Sequence, residues 1–271
     1  MGKYSFDLLN NFIGYGSLEA EYVFFGLEEK YEEQSDKFEL KLFTEILDVS
    51  EKKFSQSKHP YYSLEDDDFN ELYADESIKR LFECRSNGNK YYQMILGYYK
   101  AFIASKALDL ADYIKGLKPC NLGSKDIPEL LIGNVFPVPQ KSHDTYRIPE
   151  LYMTLFKEDI KRLNNDPQLL SERIQLILGF LNTRLKNSIK RKVIIFGEKD
   201  RLYQDFRKHA SWTDLNSEHI KYFDVKKNAS DWRNSFFFAN TECYNVAFCN
   251  HPISGLSYEN VEKVFALLTS Y

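Results

Sequence analysis

Four short stretches of the chain are almost uniformly apolar: EYVFFG at 21–26, ELLIGN at 129–134, KVIIFG at 192–197 and YNVAFC at 244–249. Runs of this length, closed by Gly, Asn or a polar turn, predict strands buried on both faces, as in a parallel sheet. Between and after them, apolar residues recur at helical spacing. Residues 89–117 predict a helix that stops near Gly116, and residues 166–189 predict a second, with Asp166 as N-cap and Pro167 in the first turn. Residues 214–223 predict a short helix, and 257–268 a last one with Ser257 as N-cap. Strands alternating with helices in this way place the chain in the α/β class, with parallel strands joined by crossovers.

Residues 30–88 break the pattern. They are polar and acidic, with KYEEQSDKFE and SLEDDDFNELYADES around a helix expected at 38–48. An acidic insertion that is largely solvated is the expected reading, carried by one domain that spans residues 1–271. The formal net charge of −4 is unevenly spread. Residues 1–90 hold 20 acidic and 11 basic residues, a net of −9, and the remainder is net +5. The later half can therefore face a polyanion, while the acidic first third suits a protein partner.

Composition narrows the classes further. No run approaches the roughly 20 apolar residues of a membrane span, and the first residues lack the basic start and apolar stretch of a signal peptide. A cytoplasmic protein with no membrane partner is expected, and a monomer. Cys84, Cys120, Cys243 and Cys249 form no C-x-x-C pair, so neither zinc nor an iron–sulfur cluster is expected. Residues 182–192 are rich in Lys and Arg, but they precede the third strand and would lie at the amino end of the sheet.

Ligands of open α/β sheets bind beyond the carboxyl ends of the strands. The four loops there read GLEEKYEE (26–33), GNVFPVPQKSHD (133–144), GEKDRLY (197–203) and NHPISGLS (250–257). A carboxylate pair after the first strand, an Asn ending the second and His-Pro after the fourth resemble the motifs of the uracil-DNA glycosylase superfamily, in the same order along the chain. That resemblance implies a three-layer α/β/α fold around a central four-stranded parallel sheet, and a metal-free, cofactor-free enzyme acting on DNA.

The resemblance also implies roles. Glu28, in Gly26-Leu27-Glu28-Glu29, matches the family's water-activating carboxylate, with Glu29 as the other candidate. Asn134 matches the base-reading amide, and Tyr31 is a wall for the flipped base. His251 matches the catalytic His of the last motif, and Leu256 the residue that enters the emptied base stack. Lys141, Ser142 and Ser254 are candidate DNA-backbone contacts. The motifs depart from the family in four ways: Glu replaces Asp, no Pro follows it, Ile253 stands where Ser is usual, and Leu256 comes one residue later than in the common His-Pro-Ser-Pro-Leu pattern. These differences extend the expected substrate from uracil to modified pyrimidines.

The residue types suit the chemistry. Cleavage of an N-glycosidic bond builds positive charge on the sugar, which a carboxylate stabilises while it orients water. Negative charge builds on the leaving base, which a donor such as His251 meets. An Asn side chain offers a donor and an acceptor to a pyrimidine edge. A stacked base reaches none of these groups, so it must be flipped out, and a leucine wedge fills the gap.

Each residue also has a plainer reading. Glu28 and Glu29 can simply open a helix, Asn134 can end a strand with a turn, and Leu256 can pack the following helix. Glu198 and Lys199 read as a solvated helix start, and His59, His209 and His219 as surface residues. The functional expectation is a monofunctional DNA glycosylase, in repair or in defence against modified foreign DNA. A non-catalytic DNA-binding protein on the same scaffold and a nucleoside or sugar-nucleotide hydrolase are the alternatives.

Overall fold

Among the described residues, eight strands form one mixed sheet. A computed structural model of the protein describes residues 2–26, 36–70, 130–136, 154–157, 166–209, 220–223, 236–249, 264 and 266–269. The strands are β1 (Phe12–Gly16), β2 (Tyr22–Gly26), β3 (Tyr62–Leu64), β4 (Leu130–Asn134), β5 (Arg191–Phe196), β6 (Ile220–Phe223), β7 (Phe236–Asn240) and β8 (Tyr244–Cys249). The helices are α1 (Asp7–Asn10), α2 (Asp36–Gln56), α3 (Pro167–Leu181) and α4 (Lys199–Arg207), and Val264 and residues 266–269 are also helical. The strand order is β3-β1-β4-β2-β5-β8-β7-β6.

The four strands expected from the sequence are the four central neighbours, β4-β2-β5-β8, and each adjacent pair is parallel. The expectation of a four-stranded parallel sheet is corrected at the flanks. On one side β1 pairs antiparallel with β4 and parallel with β3. On the other, β7 pairs antiparallel with β8 and β6 antiparallel with β7. Residues 220–223 therefore form a strand, where the sequence pattern predicted the end of a helix. The helix expected at 89–117 lies outside the described residues.

Residues 30–88 are corrected over their described part. This stretch supplies α2, the edge strand β3 and a 3₁₀ turn at Asp66–Phe69. Leu47, Tyr62, Leu64 and Phe69 are buried, with Phe12 and Tyr15 of β1 packed against the last three. Among its described acidic residues Glu51 and Asp67 are exposed, while Asp48 and Asp68 are half-buried and accept from the Tyr4 hydroxyl and the Glu65 amide, so charge density alone misread this part as solvated.

The central strands are apolar throughout because both faces are covered. Val23, Phe25, Leu131, Val193, Ile195, Val246 and Phe248 share one cluster with Ile174, Ile177, Leu178 and Leu181 of α3 and Leu202 and Phe206 of α4. The alternate residues Phe24, Ile132, Ile194, Phe196 and Ala247 are equally buried on the other face. There Asn245 Nδ2 donates to the Leu268 carbonyl at 2.8 Å, so the C-terminal helical segment lies against the sheet. Each such aliphatic or phenyl side chain contributes about 1.5–3 kcal/mol on burial. As expected, α3 starts at Pro167, with Asp166 as N-cap accepting from the Gln168 amide at 2.9 Å.

The β1–β4 pairing depends on glycine. The antiparallel register Tyr15↔Ile132 and Gly16↔Leu131 brings Gly14 opposite Gly133. A Cβ on Gly133 would strike the Ile13 carbonyl, and one on Gly14 would strike the Ile132 carbonyl. Both obstacles are backbone, so neither can rotate away. Gly133→Ala is expected to destabilise the protein by about 3 kcal/mol, the upper range for overpacking. A urea-denaturation midpoint equal to wild type would show that the two strands can separate at no cost.

Candidate functional site

Parallel pairing in register sets the carboxyl ends of β4, β2, β5 and β8 along one edge. Gly26 is the partner of Asn134, Phe25 of Ile195, and Phe196 of Cys249. The ladder continues one step beyond the strands. The Val135 amide donates to the Gly26 carbonyl at 2.8 Å, and the Gly197 amide to the Cys249 carbonyl at 3.1 Å. The chain enters all four candidate loops from this row.

Of the residues nominated from the sequence, Asn134 is described. It ends β4 beside Gly26, two residues before Glu28, and its side chain is half-buried. Glu28, Glu29, Tyr31, Lys141, Ser142, His251, Ser254 and Leu256 lie outside the described residues, as do His143 and His219. Their nearest described anchors are Gly26 for the first loop, Phe136 for the second and Cys249 for the last.

The chain leaving β4 is held by a residue that the sequence reading passed over. Arg173, on α3, is 2% exposed. Its Nη2 donates to the Asn134 carbonyl at 2.9 Å, its Nε to the Val135 carbonyl at 3.2 Å and its Nη1 to the Asn10 carbonyl at 2.6 Å. Burial lowers its pKa to about 9, which the nearby Tyr62 hydroxyl opposes only in part. The signal was available. Arg173 follows Leu170 by three residues and precedes Ile177 by four, so helical periodicity places it on the inner face.

Beyond Asn134 the backbone crosses the end of β2 towards α4. The buried Phe136 ring lies 5.6 Å from the guanidinium carbon of Arg201, in the first turns of α4. Arg201 pairs in turn with Glu198 at 2.8 Å and Asp205 at 3.8 Å. The β5-to-α4 connection needs only Gly197 and Glu198, and Gly197 adopts φ 105°, which a side chain would oppose.

The expected solvated helix start is corrected at Lys199, which is buried with its Nζ 5.9 Å from the Phe237 ring. The Cys249 thiol is buried at the end of β8, and burial pushes its pKa up to about 12, with Lys199 acting in the opposite direction. A thiol in that state is no nucleophile.

One further expectation is corrected, at His209. In the basic stretch 182–192, Arg191 is buried and donates to the carbonyls of Leu18, Leu181 and Thr183, while Lys192 pairs with Glu21. Arg184 is exposed, paired with Glu242 at 3.0 Å. His209 is also buried, at the end of α4, with Nε2 3.4 Å from Ser171 Oγ of α3. His59 is exposed, stacked on Tyr61.

Among the described residues no group of three or more His, Cys, Asp or Glu side chains could hold a metal ion, and no helix is long and apolar enough to cross a membrane. The chain matches no protein-family model, no curated protein and no solved structure. Its chemistry must therefore be argued from its own residues. The described part of the edge offers a rigid floor: one half-exposed amide, a clamped backbone and buried apolar side chains beneath.

His209 gives the helical layer a pH dependence. Burial holds its pKa below the ordinary 6.5, against the opposing charge of Asp205. The unfolded chain therefore takes up the proton first, and this part of the stability is complete above about pH 6.5 and is lost as the pH falls below it. Between pH 7.5 and 5.5 the thermal midpoint of the wild type should fall further than that of His209→Gln. Parallel profiles would mean that the imidazole protonates without disturbing the α3–α4 contact.

Proposed function

We propose that the chain is a monofunctional DNA glycosylase that hydrolyses the N-glycosidic bond of a flipped uracil or modified pyrimidine and leaves an abasic site. The observation that carries this reading is the register of β2 with β4. It sets Asn134, the candidate base reader, beside Gly26, the residue from which the Leu27-Glu28-Glu29 turn departs. The fourth exit, Cys249, belongs to the same row through β5 and leads within two residues to His251. The parallel block β4-β2-β5-β8 is read as the glycosylase core of a three-layer fold, and the strands on either side as additions to it.

In this reading Glu28 or Glu29 stabilises the sugar cation and orients water, while His251 donates to the leaving base. Asn134 pairs with the flipped base against Tyr31. Leu256 fills the vacated stack, and Lys141, Ser142 and Ser254 hold the phosphate backbone. The net +5 of residues 91–271 supports a DNA partner for this half of the chain. Repair of damaged DNA and attack on modified foreign DNA use the same chemistry and differ in the base accepted.

The purified protein would be incubated with single- and double-stranded DNA carrying uracil, mismatched thymine, 5-hydroxymethylcytosine or glucosylated cytosine, and abasic sites scored by alkaline cleavage. Abasic sites from one of these bases are expected. Asn134→Ala and His251→Ala should each lower the rate about 10²–10³-fold, the usual cost of removing one such donor. Glu28→Gln and Glu29→Gln identify the working carboxylate. Absence of abasic sites from every DNA would reject the glycosylase, and cleavage of free nucleosides by the same preparation would replace it with a nucleoside hydrolase.

A further inference from the structure

Arg173 is an unusual group to find beneath a strand exit. Burying a guanidinium costs several kcal/mol unless an anion or well-placed acceptors compensate. Among the described residues no carboxylate pairs with it, and its partners are three backbone carbonyls. A leucine or methionine would fill the same position on the inner face of α3 without that desolvation. The charge therefore answers a need at the carbonyls, and two of these belong to consecutive residues.

That pairing has a geometric meaning. In an extended strand successive carbonyls point to opposite sides in the plane of the sheet. Those of Asn134 and Val135 reach the same guanidinium, so the backbone must bend between them, and residues 135 and 136 are in a bend. The planar fork suits this task, because its donors diverge at fixed angles and can hold two carbonyls at once. The third donor goes to Asn10, the last residue of α1, which leads into β1 alongside β4. The bend is thus tied to a helix on one face and to the neighbouring strand's entry. Asn134 is left with its carbonyl fixed and its side chain half-exposed at the carboxyl edge.

We propose that Arg173 is a positioning residue of the candidate site: by gripping the Asn134 and Val135 carbonyls it fixes the bend at the end of β4, and with it the direction of the Asn134 amide. As a specificity device this rests on the reading of Asn134 as the base reader. As a statement about the backbone it does not. Arg173 touches neither base nor sugar in this scheme. Its effect should appear in discrimination between bases, because a base-reading amide that swings no longer rejects the wrong hydrogen-bonding edge.

The test compares wild type with Arg173→Lys, which keeps the charge but loses the fork, and with Arg173→Gln, whose amide reaches a single carbonyl. Two readouts are needed. Hydrogen exchange is followed for residues 130–136 and, as a reference, for β5 at 191–196. Initial excision rates are followed on the preferred base and on a poorer pyrimidine of the DNA panel.

In Arg173→Lys the amides of residues 135 and 136 are expected to exchange about tenfold faster, with β5 unchanged. The ratio of excision rates between the two bases should fall about tenfold or more. Exchange at 135 and 136 equal to wild type overturns the proposal, whether or not the protein excises a base. Faster exchange with an unchanged rate ratio also overturns it, since a strut that merely supports the fold lowers both rates in proportion. Failure of both variants to fold likewise reduces Arg173 to a strut. If the wild type excises no base, the glycosylase reading fails separately, and the exchange data alone decide whether Arg173 fixes the bend.

Discussion

The parallel register of β4, β2, β5 and β8 is the constraint on which the rest of the structure depends. It is specified by burial on both faces. Shifting any of these strands by one residue would exchange its two apolar faces, and steric fit would be lost even though polarity was kept. Gly14 and Gly133 show how little freedom remains, since backbone of one strand occupies the space where the other would carry a Cβ. Once the register is set, the row Asn134, Gly26, Phe196 and Cys249 follows without further choice. The position of every loop that leaves this edge is decided by contacts made well below it.

Helix α3 is fastened to this sheet by two arginines, one near its middle and one at its C-terminal end. From its own first half, Arg173 reaches the carbonyls at the carboxyl end of β4. At its far end the relation is reversed: Arg191, the first residue of β5, donates to the Leu181 and Thr183 carbonyls and to Leu18 between β1 and β2. A cation at a helix C-terminus meets carbonyls that have no intrahelical partner and the negative end of the dipole. Arg191 thus meets carbonyls at and just beyond the C-terminal end of α3. Apolar contact alone lets a helix slide or rotate on a sheet, whereas two forks at separate points along it oppose both motions.

The sequence revealed the parts of this arrangement that burial on two faces writes as continuous apolar runs. It revealed α3 through Asp166-Pro167, because a cap is a local signal. The flanking strands were harder to read. β1 is interrupted by the glycines its neighbour requires, β3 is three residues long, and β6 carries Lys221 and Tyr222 in a stretch that also fits a helix. Arg173 was passed over, and Lys199 and His209 were read as solvated, because charge is the best single guide to exposure. It fails at Arg173 and Arg191, where backbone carbonyls offer a buried cation enough acceptors, and at Lys199 and His209, which are buried beside the Phe237 ring and Ser171. Of the candidate site, the strand exits were legible and Asn134 was placed among them. The roles of Glu28 and His251 depend on loop geometry beyond Gly26 and Cys249, which strand periodicity does not encode.

The floor of the carboxyl edge has a consequence for any chemistry placed on it. Phe136, Phe196 and Cys249 are buried at the exits, and among the described residues Arg201 is paired with Glu198 and Arg173 is directed at carbonyls. A polar group that a loop brings down onto this surface would act in a low-dielectric setting, where a hydrogen bond to a developing charge is worth more than in water. It would also meet a backbone held by the hydrogen bonds of Arg173 to the Asn134 and Val135 carbonyls. Strand ends held in register in this way can stay constant while the segments that follow them vary in sequence. The departures at Glu28 and Ile253 from the glycosylase pattern follow Gly26 and Cys249 in the sequence. The features that hold Asn134 fall on the floor.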